Sequence, residues 1–530
     1  MTASPAVPEE SARISALNPS AKPDVALAIE SERPSSRAQF LLRALALVLL
    51  FSGAAVYESV HLSSLNSADV WVHLRTGTWI FENHALPLVG LFSQYPNSGW
   101  NDSSWLFDFL LGVAYRIFGL HALPLLLMAL KVALAAITFL LARTLGAGFW
   151  QALVLSAVAQ YVIPGLQPLP YVFSILFFAL AFKLLLSSRQ SGSVPRLYWL
   201  PLLFLLWANL QVQFVLGLIL VAVFGIAVLT EQWLRMQSVS WLSPRLLPLP
   251  IKPVSAIAGL CLVASCATPY GYHPFTIFFE SLYSGVAFQH FAEMSAMTFR
   301  RPQDYALMLL VMMAFLALGR RRSLDVFQLL ILLFGTAVAF RIQRDGWLAV
   351  LVAVGVVATA SPTEDVDDER PPALGFASGW IGIAAVTAVV VIFAAVRLPN
   401  RHALMNRVAR NFPVAACDFI ASNRMSQPLF NDYPFGSFVT WYLPQYPVVV
   451  DSRVELYGDK VLSEYFDIVG GKERLDEHPM IARAGTLLLQ RNSAIDKALR
   501  NLPALRAQYR LVYSDDLADV FTPVNTEENR

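Results

Sequence analysis

The chain has 530 residues, of which 56% are hydrophobic and only 14% charged, with a formal net charge of +2. Soluble globular proteins carry about a quarter charged residues, so this composition excludes one and specifies a polytopic membrane protein. Near-neutral charge gives no reason to expect a nucleic-acid partner, and three cysteines exclude a disulfide framework.

Residues 1–37, rich in Ala, Pro, Ser and Glu without periodicity, read as a disordered cytoplasmic leader. The first apolar run lies too far from the start for a cleavable signal and reads as an anchor. A membrane span needs about 20 apolar residues, somewhat fewer inside a bundle. Runs that fit are 39–60, 120–142, 148–163, 168–187, 197–208, 213–231, 254–268, 304–319, 324–340, 346–360 and 376–396. Residues 104–118 are also apolar, but Asp108 and Arg116 interrupt them. That pattern suits an interfacial helix better than a span. The expected fold is therefore mainly α: about eleven transmembrane helices over 38–396, with two interfacial helices in an outer loop 61–119.

Lys and Arg in short loops set the orientation. With the amino terminus inside, the inner loops hold Arg143, Arg189, Arg196, Arg235, Arg245, Lys252 and the run Arg320, Arg321, Arg322. The acidic stretch 363–370 becomes an inner linker. An odd number of spans puts residues 397–530 outside, which in a bacterial inner membrane means the periplasm. This part has no span, no Gly-rich phosphate loop and no metal-ligand cluster. Its end, 486–523, reads strand, helix, strand, turn, strand, with Asp515 and Asp516 at the hairpin. A small α/β domain is expected.

The first outer loop carries "DVWVHLR", placing Asp69, His73 and Arg75 within seven residues. Helical spacing puts Trp71, Leu74, Thr78 and Phe81 on one face, suited to lipid headgroups. Taken singly, Asp69 is an N-cap, His73 a surface imidazole and Arg75 a headgroup anchor. Asp102 is a cap of the next helix or a second acid of a site. Asn209, Gln211 and Gln213 either join helices or bind sugar hydroxyls. His273 follows a Pro/Gly turn and reads as structural, and Glu293 is a candidate acid. Asp432, Asp451 and Arg453 read equally as turn residues. Arg341 and Arg344 stand three apart on the outer side, on one helical face. They run against the charge bias there and suit a phosphate, which guanidinium binds through two hydrogen bonds.

The stretches "DVWVHLRTGTWIFENHALP", "WLFDFLLGVAYRIFG", "LLWANLQVQFVLGL", "TPYGYHPF" and "FNDYPFGSFVTWYLPQYPVVVDSRVELYG" together resemble the GT-C-type glycosyltransferases. These polytopic enzymes use polyprenyl-phosphate-linked sugars and include protein O-mannosyltransferases and lipid A aminoarabinose transferases. The layout looks closest to bacterial membrane proteins with an RgtA/B/C/D-like domain. The resemblance implies that Asp69 is the general base, and that a polyprenyl-phosphate sugar donor and a lipid, glycan or protein acceptor are the partners. His73, Arg75, Asp102, Glu293, Arg341 and Arg344 become substrate-binding candidates. No metal-ligand spacing stands out, and the class includes metal-dependent and metal-independent members. Two rival readings are a transporter or flippase for a lipid-linked saccharide and a non-catalytic envelope scaffold. The first expects inverted repeats and mid-span charges, neither of which is evident.

Overall fold

The computed structural model describes residues 36–163, 165–237, 247–321, 323, 325–360, 376–471, 475 and 478–524. Residues 1–35 of the leader, Arg245, Arg322, the acidic stretch 363–370 and the last six residues lie outside them.

Every apolar run expected from the sequence is a helix. They are α1 (Ser36–His61), then, after α2 (Val70–Asn83) and α3 (Trp105–Phe118) of the loop 61–119 expected on the outer side, α4 (Ala122–Thr144), α5 (Phe149–Val162), α6 (Tyr171–Ser191), α7 (Leu200–Leu210), α8 (Phe214–Met236) and α9 (Ile251–Ser265). Two short helices, α10 (His273–Tyr283) and α11 (Gly285–His290), precede α12 (Pro302–Gly319), α13 (Val326–Arg341), α14 (Gly346–Ala360) and α15 (Phe376–Val396). Among the described residues seven helical stretches are long and apolar enough to cross a membrane. Helix α14 is the axis of the bundle: every residue from Gly346 to Ala358 is buried, as expected of a helix apolar all round. Helices α1 and α15 lie at the periphery, with Leu49, Val60, Val389 and Val396 exposed.

Polar bonds identify the two ends of the bundle. At one end Arg189 of α6 reaches Glu231 of α8 at 2.6 Å and Asp325, the N-cap of α13, at 3.1 Å. At the other, Gln213 donates to Asp345 Oδ1 at 2.7 Å and Asn209 to the Ala267 carbonyl at 3.1 Å. There too Lys131 of α4 is paired with the buried Glu58 of α1 at 2.9 Å. This second end carries everything described below.

The chain after α15 stays at that end. Helices α16 (Arg401–Val408) and α17 (Val414–Ser422) lead to β1 (Leu429–Asn431), α18 (Tyr433–Tyr442) and α19 (Val454–Val469). Then come α20 (Pro479–Ala482), β2 (Thr486–Gln490), α21 (Ala494–Asn501), α22 (Pro503–Gln508), β3 (Tyr509–Ser514) and β4 (Ala518–Pro523). The sheet order is β1-β2-β4-β3. β1 runs parallel to β2, pairing Phe430 with Leu487, and β4 is antiparallel to both β2 and β3. The β3–β4 hairpin is closed by Asp515, whose Oδ1 accepts the amides of Leu517 and Ala518. The stretch after β1 is helical because Pro434 sits in its first turn, where its missing N–H is not needed.

One expectation is corrected. Trp71 and Leu74 do not rest on lipid headgroups; both are fully buried. Trp71 packs edge-on against Phe412 and Phe438, 5.5 and 5.4 Å between centroids, and against Trp441 at 4.6 Å. An amphipathic face can be covered by protein as well as by lipid, and here residues after α15 cover it. One core joins Trp71, Phe107 and Leu111 of the outer loop to Phe412, Phe438 and Val448.

Candidate functional site

Asp69 occupies the N-cap position of α2, yet its carboxylate makes no capping bond. Four residues on, His73 shares a 2.7 Å hydrogen bond through Nδ1 with Asp108 Oδ1 of α3. What permits that bond is backbone contact between the two packed helices. A Cβ built on Gly77 would lie 1.7 Å from the Asp108 carbonyl oxygen, and one on Gly112 would lie 2.4 Å from the Gly77 carbonyl carbon. Only glycine fits at either position. His73 and Asp108 each stand four residues before one of these glycines, so the closest approach delivers one side chain from each helix to the same place.

Asp102 completes this first group. Its Oδ1 accepts the Ser104 amide at 3.0 Å, while Ser104 itself is the residue preceding α3. Its Oδ2 is buried and has no donor. Burial and the neighbouring Asp108 carboxylate push the Asp102 carboxyl well above the usual range, against the smaller pull of His73. Two buried carboxyl groups side by side cannot both ionise cheaply. Burial lowers His73 below its ordinary value, opposed by Asp102 and Asp69.

The second group comes from the chain between α9 and α12 and from the end of α13. The chain leaves α13 at Arg341, where the helix ends in an extended Ile342 (φ −129, ψ 106). The amides of Gln343 and Arg344 donate to the carbonyls of Ser295 and Glu293 at 3.0 and 2.9 Å, pinning one segment to the other. The Arg344 guanidinium then lies 3.5 Å from Glu293 and 3.9 Å from Asp345. Arg341 is exposed and stacks over Phe288 at 5.2 Å. The two arginines therefore do not share a helical face as their spacing suggests, because the helix stops between them.

The third group belongs to the chain after β1. Arg453 is held by Asp451 through Nη2 at 2.6 Å and Nε at 3.0 Å, donates to the Leu91 carbonyl at 2.7 Å and stacks on Trp100 at 4.7 Å. The Trp100 indole donates to Glu455 at 3.1 Å. These contacts clamp the first outer loop to the segment 451–455. They also bring Ser452 close enough to lower the Asp69 carboxyl.

Asp69 feels all three groups. Burial, then the Glu293 carboxylate, raises it from 3.8 to about 6, against the pull of His73, Arg344 and Ser452. The Tyr433 hydroxyl, raised by burial and then by Asp69, lies in the same field. Arg75 is set apart: it stacks over Phe92 at 4.9 Å, with Nε buried and unpartnered. Among the described residues no group of three His, Cys, Asp or Glu side chains is placed to hold a metal ion.

Of the sequence candidates, the structure brings together Asp69, His73, Asp102, Glu293 and Arg344, and leaves Arg75 and Arg341 at the margins. Asn209 accepts from the Trp105 indole and donates to two carbonyls, so it joins helices. The Gln211 side chain accepts the Val212 amide at 2.7 Å, a local turn bond. His273 bonds within its own turn to the Tyr270 carbonyl. Asp432 accepts the Gln490 amide and ties β1 to β2. The three cysteines are free. Asp108, Ser452, Tyr433 and the clamping role of Arg453 are not evident from sequence. The one signal for Asp108 is the matched spacing His73–Gly77 and Asp108–Gly112.

No family model and no curated protein sequence matches the chain. Solved structures do. The oligosaccharyltransferase of Archaeoglobus fulgidus, tethered with an acceptor peptide, superposes over 94% of this chain and 75% of its own, with a TM-score of 0.51 at 12% identity. Its apo form gives 0.50 at 11% identity over 94% and 75%. ArnT from Cupriavidus metallidurans in the apo state gives 0.45 at 14% identity over 92% and 99%. Identity this low speaks to fold alone. The apolar helices make the chain a polytopic membrane protein, and the superposition shows that its fold is similar to that of the A. fulgidus oligosaccharyltransferase.

Proposed function

We propose that the chain is a membrane glycosyltransferase, moving a sugar from a polyprenyl-phosphate donor to an acceptor of the cell envelope on the periplasmic side of a bacterial inner membrane. The observation that carries this is Asp69. It stands where a capping residue stands, yet its carboxylate caps nothing and instead lies in the field of His73, Glu293 and Arg344. A residue that only started a helix would be bonded back to the amides of α2.

In the reaction the acceptor hydroxyl or amine attacks the anomeric carbon. One bond forms from acceptor to carbon, and the bond from that carbon to the phosphate oxygen breaks. Asp69 takes the acceptor proton; a group titrating at about 6 is matched to that task near neutral pH. The polyprenyl phosphate leaves as an anion, met by Arg344 with Arg341 nearby. His73, oriented by Asp108, and Asp102 and Glu293 contact donor or acceptor, while Arg75 stacks on Phe92 outside the cluster. The fold supports this reading: the A. fulgidus oligosaccharyltransferase, to which the chain is similar, is tethered with an acceptor peptide.

The test uses the purified full-length chain in vesicles containing a polyprenyl-phosphate-linked sugar. Asp69→Asn should abolish sugar transfer while the protein inserts normally. Transfer at the wild-type rate would remove Asp69 from the chemistry. Transmembrane movement of the lipid-linked sugar without transfer, unaffected by the substitution, would favour a flippase.

A further inference from the structure

The segment that leaves the last apolar helix is strongly basic. Residues 397–410, "RLPNRHALMNRVAR", hold four arginines and a histidine, and no acid occurs before Asp418. None of the four arginines is paired with a described acid. Helix α16 divides this segment into two faces. Leu404 and Val408 enter the core. Ala403, Asn406 and Arg407, with Arg410 in the following turn, line a groove of about 440 Å³ against Val60, His61 and Leu62 at the end of α1. Arg407 uses only part of its hydrogen-bonding capacity there: its Nη2 donates to the His61 carbonyl at 3.2 Å, and its Nε is buried without a partner.

We infer that this groove binds the phosphate of an anionic phospholipid headgroup. Three features select that occupant. The groove lies where α1 and α15, the peripheral apolar helices, both end. Exposed apolar side chains run along α1 through Tyr57 to Val60, and along α15 through Ile392 to Val396, so acyl chains have a surface on which to lie. At its head the groove offers two guanidinium groups and an amide, donors matched to phosphate oxygens. The site is distinct from the Asp69 cluster and does not depend on the proposed transfer reaction. A phospholipid held there seals the junction between the peripheral helix α1 and the first residues after α15, where the bundle passes into its outer part.

Binding of phosphatidylglycerol to the delipidated full-length protein in detergent, followed by native mass spectrometry, tests this. Phosphatidylcholine and inorganic phosphate are the comparisons. Phosphatidylglycerol should bind in preference to phosphatidylcholine. The double substitution Arg407→Gln and Arg410→Gln should weaken it about thirtyfold, since each cation near a membrane surface contributes close to a factor of five. Arg407→Lys with Arg410→Lys should retain most of the affinity and controls for folding, as does an unchanged melting temperature. Asp69→Asn should bind the lipid as the wild type does. Equal affinity in the glutamine variant, or no preference over phosphatidylcholine, would overturn the site. Arginine-dependent binding of inorganic phosphate as tight as that of the lipid would make it a soluble-anion site instead.

Discussion

Replacing Gly77 by alanine probes how the candidate site is held together. The new methyl carbon would lie 1.7 Å from the Asp108 carbonyl oxygen and 3.0 Å from the Gly112 amide nitrogen. Both are backbone atoms, so no side chain can swing aside. Restoring a normal nonbonded separation of about 3.5 Å requires α2 and α3 to part by ~1.8 Å. The His73–Asp108 bond, 2.7 Å in the structure, would then stretch to ~4.5 Å, beyond hydrogen-bonding range. Overpacking costs ~1–3 kcal/mol, and leaving a buried group such as Asp108 unpartnered costs ~1–3 kcal/mol more. Together these amount to ~2–6 kcal/mol, and for a chain of 530 residues the melting temperature should fall by ~2–5 °C. The assay is tryptophan-fluorescence unfolding of the detergent-solubilised full chain, with sugar transfer measured beside it. Transfer should fall with stability even at temperatures where the variant remains folded, because His73 loses its orienting partner. A variant that melts and transfers like wild type would refute both the backbone contact and the dependence of the site on it.

Asp69, held at about 6, should make transfer rise with pH through about 6 and level off above, because the base works ionised. Its folded-state value lies above the ordinary one, so its contribution to stability is full in acid and is lost as pH rises through about 6. Asp69→Asn should accordingly melt higher than wild type at pH 8, though inactive, and lose that advantage in acid. Arg453→Met removes the partner of the fully buried Asp451 and should cost ~3–5 kcal/mol; Arg453→Met with Asp451→Asn should recover part of that loss in thermal unfolding. Arg344→Gln should raise the KM for the donor by ~10–100-fold, the worth of one charge-assisted bond, and Arg341→Gln by clearly less; the reverse order would misassign the phosphate. A reporter fused after Arg530 should be active only in the periplasm, and cytoplasmic activity would invert the proposed orientation.

The helical layout was legible because hydropathy alone specifies apolar helices, and each of the eleven expected runs is one. The strand–helix–strand order of 486–523 was legible because turn residues such as Asp515 announce themselves locally. Asp69 stands out in the sequence by position, just after the first apolar helix. Asp108 does not. In sequence it only interrupts an apolar helix, and its meaning depends on a glycine 31 residues earlier, Gly77, against which its backbone packs. Trp71 misled in the opposite sense, since an amphipathic face does not say whether lipid or protein will cover it. Arg453 and Leu91 are 362 residues apart, and no local pattern reports such a contact. The pairing of Arg341 with Arg344 failed at one residue, Ile342, whose extended backbone ends the helix between them.

The two best-placed guanidinium groups differ in a way that assigns them separate work. Arg453 and Asp451 have side chains only 3% and 0% exposed and stand 2.6 Å apart. Separating them would strand a buried charge, so no incoming anion displaces Asp451 at reasonable cost. Arg453 is thus committed to clamping the first outer loop against the chain after β1. Arg344 and Glu293 are 35% and 58% exposed and stand 3.5 Å apart, the geometry of a pair worth less than about 1 kcal/mol. A phosphate offers Arg344 a bidentate partner in place of that loose contact. Releasing Glu293 from Arg344 costs little, and Asp69 senses both groups. An anion settling on Arg344 adds negative charge near Asp69 and raises its proton affinity, strengthening it as a base when the donor is in place.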